Sequence, residues 1–158
     1  MSTPTTGRRR ALVVDDAPTV RMYHGGILRQ AGFDVDEAVN GFEALEMLLA
    51  GGYDLLVVDV NMPQMDGYTL VQRLRSAPVS CAAPVVTIST ESGEADAEAA
   101  YRAGANLYLV KPVAPDLLQR TADLLTAALP AGTPTTEATT TEATTTEATT
   151  ELPTGSHP

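Results

Sequence analysis

Short apolar runs alternate along residues 11–129 with longer segments in which apolar positions recur at helical spacing. Three runs, Leu12–Val14, Leu55–Val58 and Val85–Ile88, are almost continuously apolar, which is typical of strands buried on both faces of a parallel sheet. The predicted strands are Ala11–Asp15, Asp34–Ala38, Leu55–Asp59, Pro84–Ser89 and Leu107–Val110. The predicted helices are Ala17–Ala31, Phe42–Ala50, Tyr68–Arg75, Gly93–Ala103 and Pro115–Leu129.

The strict alternation of strands and helices predicts an α/β fold. It indicates a doubly wound, five-stranded parallel sheet with helices on both faces. Five strands fit the flavodoxin-like order 2-1-3-4-5, in which the functional site lies at the carboxyl ends of the strands. We therefore expect the chemistry of this protein to reside in the residues that end each strand.

The composition changes at both ends of this pattern. Residues 1–10 are polar and are expected to form a flexible leader, and residues 11–129 form the predicted domain. Residues 130–158 are rich in Thr, Glu and Ala, with glutamates at 137, 142 and 147 and no large apolar side chain before Leu152. Such a tail cannot bury enough surface to offset its ordering entropy, so we expect it to be disordered.

The net charge of −10 restricts the partners. A strongly acidic surface repels nucleic-acid phosphates and acidic membranes, so neither is an expected partner. No segment has the roughly 20 apolar residues that span a bilayer, and the apolar run after Arg8–Arg10 is too short for a signal peptide. A single cysteine, Cys81, excludes an internal disulfide and fits a reducing compartment. We therefore expect a cytoplasmic protein.

Polar side chains with complementary chemistry stand at four strand ends. The first strand ends in Asp15-Asp16, the third in Asp59, the fourth in Ser89, and the fifth is followed by Lys111, the only lysine. Clustered carboxylates repel one another unless a cation joins them, and hard oxygen ligands suit Mg²⁺. A carboxylate beside Mg²⁺ can attack a phosphoryl group, and an ammonium group can stabilise the charge on the transferring oxygens.

Four motifs at these strand ends resemble the receiver domain of two-component response regulators across residues 11–129. They are, in chain order, Leu12-Val13-Val14-Asp15-Asp16, Asp59-Val60-Asn61-Met62-Pro63-Gln64-Met65-Asp66-Gly67, Val86-Thr87-Ile88-Ser89-Thr90-Glu91 and Tyr108-Leu109-Val110-Lys111-Pro112. Each motif alone is a weak signal, but all four in order, each at a strand end, are a strong one.

The resemblance implies the roles of the acidic residues and of the residue two positions after the acceptor. Asp59 matches the phosphoacceptor of the family. Asp15 and Asp16 match its acidic pair, with Asp16 the more direct Mg²⁺ ligand. The backbone carbonyl of Asn61 matches the position that completes the metal shell.

Further positions match the residues that respond to the phosphoryl group. Ser89 matches the hydroxyl that moves toward it, Lys111 the cation between Asp59 and the phosphate, and Tyr108 the aromatic ring that then turns inward. Pro112 matches a proline that often follows a cis peptide bond. Asn61 and Glu91 match positions that tune the lifetime of the phosphate, and both resemble those of chemotaxis-type single-domain regulators.

The resemblance implies a stand-alone response regulator that acts as a switch and is not a conventional enzyme, although it contributes to its own phosphotransfer and autodephosphorylation. A histidine kinase is the expected phosphodonor. The expected output is a protein target at the face formed by the fourth helix, fifth strand and fifth helix. Alternatives are a phosphorelay intermediate that passes phosphate to a histidine phosphotransfer protein and a phosphorylation-independent scaffold. An aspartyl-phosphate phosphatase is disfavoured because Asn61 stands where a second acid is needed.

Some of these residues also have purely structural interpretations. The Asp15-Asp16 pair could cap a helix, and Asp66-Gly67 is expected to supply turn and cap chemistry. His24 is expected to be partly buried and hydrogen-bonded, and not catalytic. Met62 and Met65 are expected to pack or to shape the loop after Asp59.

Overall fold

The five apolar segments lie side by side in one parallel sheet, in the order β2-β1-β3-β4-β5. A computed structural model describes residues 7–77 and 82–127 of the protein. The strands are β1 (Arg10–Val14), β2 (Asp34–Ala38), β3 (Leu55–Asp59), β4 (Val85–Ser89) and β5 (Leu107–Val110). The helices are α1 (Pro18–Gln30), α2 (Gly41–Leu49), α3 (Gly67–Ser76), α4 (Glu94–Ala103) and α5 (Pro115–Ala127). The predicted fold class and strand order are confirmed, and every element boundary except the end of α5 lies within one residue of the prediction.

Side chains alternate between the two faces of the central strands and so form two hydrophobic cores, one on each face of the sheet. Side chains of successive strand residues point to opposite faces of the sheet. One face of β1 and β3, which includes Leu12 and Leu56, packs with residues of α2, α3 and α4. The other face, which includes Val13 and Val57, packs with residues of α1 and α5. Residues of β3 and β4 are buried throughout, which explains their nearly continuous apolar sequence.

Side-chain caps are present at the starts of α2 and α3 and absent at the starts of α1 and α4. The Asn40 side chain accepts a hydrogen bond from the Glu43 amide at the start of α2. Asp66 caps α3 in the same way, as predicted, and α1 is followed by Gly32 at a φ of +92°. The first turn of α4 has no side-chain cap, because Gly93 occupies the N-cap position.

The arginines assigned to the leader take part in the fold. β1 begins at Arg10, one residue before the predicted boundary at Ala11, and pairs there with β2. The Arg10 guanidinium lies 4.6 Å from the centroid of the Tyr53 ring, and the Arg9 guanidinium lies 4.3 Å from that of Phe33. Planar guanidinium groups stack on aromatic rings, which binds this segment to the domain.

Other parts of the predicted domain division lie outside the described residues. These are residues 1–6 of the leader, Cys81, the last two residues of the fifth predicted helix, and the tail at 130–158. No helix within residues 7–77 and 82–127 is long and apolar enough to cross a membrane.

Arg9 is predicted to stabilise the fold by joining the start of β1 to the end of α5. Its guanidinium donates to Thr126 Oγ1 at 2.7 Å, to Asp123 Oδ1 at 3.1 Å and to the Ala31 carbonyl at 3.3 Å. We expect Arg9→Ala to lower the free energy of unfolding by about 1–2 kcal/mol, because hydrogen bonds and a stacked ring are lost together. Urea denaturation measures this change.

Arg8→Ala provides the matched control. The Arg8 side chain is 75% exposed and pairs with Asp34 at 3.6 Å, so its loss is expected to cost about 0.5 kcal/mol or less. Equal losses for the two variants would refute a specific role for Arg9.

Candidate functional site

The chemistry-bearing residues gather at one edge of the sheet because parallel strands end there together. Asp15 and Asp16 directly follow β1, and Asp59 is the last residue of the adjacent β3. Ser89 is the last residue of β4, and Lys111 directly follows β5. Four separate strands therefore fix the backbone positions of these five residues.

Lys111 joins two of the acids. Its Nζ lies 3.1 Å from Asp59 Oδ1 and 3.2 Å from Asp15 Oδ2. Asp15 and Asp59 are almost fully buried, and the Lys111 side chain is 21% exposed. The Lys111–Pro112 peptide is cis.

Burial dominates the electrostatics of this cluster. It raises the pKa of the Asp59 carboxyl, the hydrogen bond from Lys111 offsets part of that rise, and the charge of Asp15 adds to it. Burial alone would lower the pKa of Lys111, but the hydrogen bonds and charges of Asp59 and Asp15 outweigh it and raise that pKa. Lys111 is thus held in its charged form beside two acids whose charges it cannot fully balance.

The three acids form an oxygen-rich group suited to a divalent cation. Asp15, Asp16 and Asp59 each offer a carboxylate oxygen, and these atoms lie within 4.8 Å of one another. The side chains of Asp15 and Asp59 are buried, whereas Asp16 is exposed to solvent. Hard carboxylate oxygens with one side open to water match the preference of Mg²⁺, which retains several waters. Asp15 Oδ1 also accepts the Ala17 amide at 2.9 Å, so the turn into α1 orients this carboxylate.

Ser89 is connected to the loops around it. Its hydroxyl oxygen accepts hydrogen bonds from the Asn61 side-chain amide at 3.2 Å and from the Glu91 backbone amide at 3.1 Å. Asn61 also donates to the Thr90 hydroxyl at 3.4 Å. Asn61 therefore bridges the loop after β3 to the loop after β4.

Tyr108 contacts the same loop from β5. Its hydroxyl donates to the backbone carbonyl of Glu91 at 2.6 Å, while its ring packs against the core beneath α3 and α4. Glu91 is thus held through both its amide and its carbonyl. Its carboxylate belongs to an exposed residue.

The loop after β3 approaches the Asp59 backbone closely at Gly67. A Cβ at Gly67 would lie 2.5 Å from the carbonyl oxygen of Asp59 and 2.9 Å from Cα of Val60, so this position requires glycine. Met62 and Met65 are buried in the adjacent core, which confirms the packing role expected for them. The loop is therefore braced rigidly behind Asp59.

Two side chains near the site donate hydrogen bonds to backbone carbonyls that the sequence did not reveal. Arg21 Nη1 donates to the Asp15 carbonyl at 2.7 Å, and the Tyr68 hydroxyl donates to the Asp96 carbonyl at 3.0 Å. Neither contact has a sequence signature, because each joins a side chain to a backbone carbonyl, which any residue can supply.

His24 differs from its expectation in one respect. It is buried, as predicted, but within the described residues it makes no hydrogen bond and its ring instead lies 5.4 Å from that of Tyr23. Burial lowers the pKa of His24; the charge of Asp15 partly offsets this, and that of Lys111 adds to it. The lowered pKa favours the uncharged ring, in agreement with its burial and with the structural role expected for it.

Comparisons with known proteins agree on one family. A family model described as the response regulator receiver domain matches residues 11–123. Chemotaxis protein CheY1 of Helicobacter pylori is 41% identical over 112 residues, which make up 70% of this chain and 90% of that protein. The gliding motility regulatory protein of Myxococcus xanthus is 39% identical over 108 residues, 68% of this chain but only 14% of the longer protein.

Solved structures are similar over the same region. The chemotaxis protein CheY4 of Vibrio cholerae has a TM-score of 0.71 and 30% identity, covering 75% of this chain and 99% of that structure. The signal receiver domain of a signal transduction histidine kinase from Syntrophus aciditrophicus has a TM-score of 0.72 and 29% identity. That match covers 82% of this chain and 98% of the other.

Gly67→Ala is predicted to disturb the backbone of Asp59. The added methyl group would meet main-chain atoms that cannot move away freely, so we expect the free energy of unfolding to fall by about 1–3 kcal/mol. Gly26→Ala is the control, because its Cβ would meet no atom within 4 Å, and helix propensity should make it stabilising by about 0.5–1 kcal/mol. Chemical denaturation of both variants tests the contrast, which would be refuted by similar effects.

Asp59→Asn is predicted to stabilise the protein at neutral pH when divalent cations are chelated. The pKa of the Asp59 carboxyl is raised in the folded state, so its protonated form favours folding. This contribution to stability is fully present below the unfolded-state pKa near 3.8 and is lost as the pH rises through the folded-state pKa. At pH 7 the buried charge of Asp59 therefore lowers the free energy of unfolding of the wild type, and the uncharged asparagine avoids this loss. The difference in unfolding free energy between the two proteins should shrink toward pH 4. Urea denaturation with EDTA at both pH values measures it, with Asp116→Asn as an exposed control. A wild type at least as stable at pH 7 would contradict the dominance of burial.

Proposed function

This chain belongs to the family of response regulator receiver domains, and from that membership we propose that Asp59 accepts a phosphoryl group from a histidine kinase in a Mg²⁺-dependent reaction. The observation that carries the proposal is the pairing of Asp59 Oδ1 with Lys111, beside the oxygen atoms of Asp15 and Asp16. One Asp59 oxygen is held, while Oδ2 makes no hydrogen bond within the described residues and is available for reaction.

The proposed transfer is a direct displacement at phosphorus. Asp59 Oδ2 forms the new oxygen–phosphorus bond while the phosphorus–nitrogen bond of the donor phosphohistidine breaks. The electron pair of that bond stays on the imidazole, which takes up a proton from solvent. Lys111, already 3.1 Å from Asp59 Oδ1, stabilises the negative charge on the transferring oxygens. Mg²⁺ held by Asp15, Asp16, Asp59 and the Asn61 carbonyl would neutralise further phosphoryl charge.

The proposed switch begins at Ser89. Its hydroxyl oxygen already accepts two hydrogen bonds, and its own proton can be donated to a phosphoryl oxygen once the side chain rotates. That rotation would release Asn61 and pull the Glu91 amide, so the Tyr108–Glu91 contact would break and the ring could turn inward. Asn61 and Glu91 would thereby influence how long the phosphate survives.

The proposed output surface is the face formed by α4, β5 and α5. Exposed apolar side chains occur on all three elements, at Tyr101, Val110 and Leu117. β5 is also an edge strand of the sheet, and α4 buries only two alanines. These features favour a protein partner, and a net charge of −10 disfavours nucleic acid or an acidic membrane. A cytoplasmic location forms part of the same proposal.

Acetyl phosphate with Mg²⁺ is predicted to add one acid-stable, base-labile phosphoryl group to the wild type, as measured by intact mass. Asp59→Asn should remain unmodified because it lacks the attacking carboxylate, and Asp116→Asn should behave as wild type because that acid is exposed on α5. EDTA should abolish the gain in mass.

The decay of the modified protein separates the alternatives. Rapid loss of the phosphoryl group supports a signalling switch, whereas a long lifetime supports a phosphorelay intermediate. A folded wild-type protein that gains no mass would refute the proposed chemistry and favour a phosphorylation-independent scaffold.

A further inference from the structure

Two tyrosines from different elements hold the segment between β4 and α4. Tyr108 in β5 donates to the Glu91 carbonyl at 2.6 Å, and Tyr68 in the first turn of α3 donates to the Asp96 carbonyl at 3.0 Å. Both rings are partly buried against the same core, and their hydroxyls reach the segment. We refer to Tyr68 and Tyr108 as the tyrosine pair.

This segment has few other anchors. Residues 90–95 are all exposed, and the N-cap residue Gly93 provides no side-chain hydrogen bond. Within α4 only Ala100 and Ala103 are buried, so little apolar area fixes the helix. The start of α2, in contrast, is capped by Asn40 and that of α3 by Asp66. The two phenols do not replace that cap, which would accept from backbone N–H groups, but they attach the segment to β5 and α3 through its carbonyl groups.

Tyr108 also influences the Tyr68 phenol. Burial raises the pKa of Tyr68 to about 12, and the neighbouring Tyr108 hydroxyl adds to the rise. A change in the position of the Tyr108 ring thus alters the surroundings of the Tyr68 hydroxyl. α3 begins at Gly67, which lies against the Asp59 backbone, so Tyr68 stands on an element braced directly behind the acceptor.

We propose that Tyr68 is a positioning residue that acts with Tyr108 to hold the first turn of α4 in the unphosphorylated arrangement. Tyr68 sets how much free energy the phosphoryl group must supply to move α4. The switching part of this inference rests on the proposed function, whereas the anchoring part concerns the unmodified protein alone. Tyr108 alone would leave the helix start free beyond Glu91, and Tyr68 extends the attachment to Asp96.

Tyr68→Phe removes only the hydroxyl and keeps the ring in the core. In the unmodified protein we expect faster hydrogen exchange at the amides of Asp96 and Ala97, which bond to the Gly93 carbonyl at 3.2 and 3.3 Å. Loss of one hydrogen bond corresponds to an increase of roughly two- to tenfold. The matched control is Tyr101→Phe, the same change on α4 itself, at a residue whose hydroxyl makes no hydrogen bond within the described residues.

Titration with beryllium trifluoride and Mg²⁺, a mimic of the phosphoryl group, tests the effect on switching. Tyr68→Phe should lower the half-saturating concentration by a similar factor, because less free energy is spent in releasing α4. The two phenols are expected to act jointly. The increase in exchange rate in the double variant Tyr68→Phe, Tyr108→Phe should therefore differ from the product of the increases in the two single variants.

The outcomes distinguish this inference from the proposed function. Unchanged exchange in Tyr68→Phe, or an equal change in Tyr101→Phe, would overturn the anchoring role. Faster exchange without any change in half-saturation would overturn the switching role. A wild type that acquires no phosphoryl group from acetyl phosphate refutes the proposed function instead, and the exchange experiment still decides whether Tyr68 anchors α4.

Discussion

Two buried carboxylates share a single ammonium group, and the site is organised around that imbalance. Removing Asp15 and Asp59 from water is costly, and Lys111 compensates only in part. The charged arrangement persists because each group is fixed by a different strand of a rigid parallel sheet. The excess negative charge then becomes an affinity for whatever cation or positively polarised centre enters the edge of the sheet.

The support around this cluster is uneven. On the β3 side, Gly67 lies against main-chain atoms and two methionines fill the space beneath the loop. On the β4 side, the loop and α4 are attached by a few hydroxyl and amide hydrogen bonds. Such bonds contribute roughly 1 kcal/mol each, which is within reach of a change at a neighbouring charged group. Rigid and adjustable parts of the molecule therefore meet at the same edge.

The sequence predicted the sheet and the residues at its edge for the same physical reason. Strands buried on both faces are nearly continuous apolar runs, and the polar residue that ends each run marks the carboxyl edge. The adjustable contacts had no such signature. Tyr68 donates to a backbone carbonyl in α4 and Arg21 to one in the turn after β1, and any residue supplies a carbonyl. Arg9 and Arg10 seemed to belong to a polar leader because the rings on which they stack, Phe33 and Tyr53, are far away in sequence.

The contact between Arg9 and Thr126 has a consequence for how this domain can be used in larger proteins. It brings the beginning of β1 and the last turn of α5 together, at 2.7 Å, on the edge of the sheet opposite the acids. A five-residue strand, about 17 Å long, separates that edge from Asp15. Entry and exit of the chain are thus adjacent and remote from the reactive groups, so the unit can be inserted as a cassette without obstructing them. The gliding motility regulatory protein of Myxococcus xanthus, in which the matching region occupies 14% of a longer chain, is consistent with this modular use.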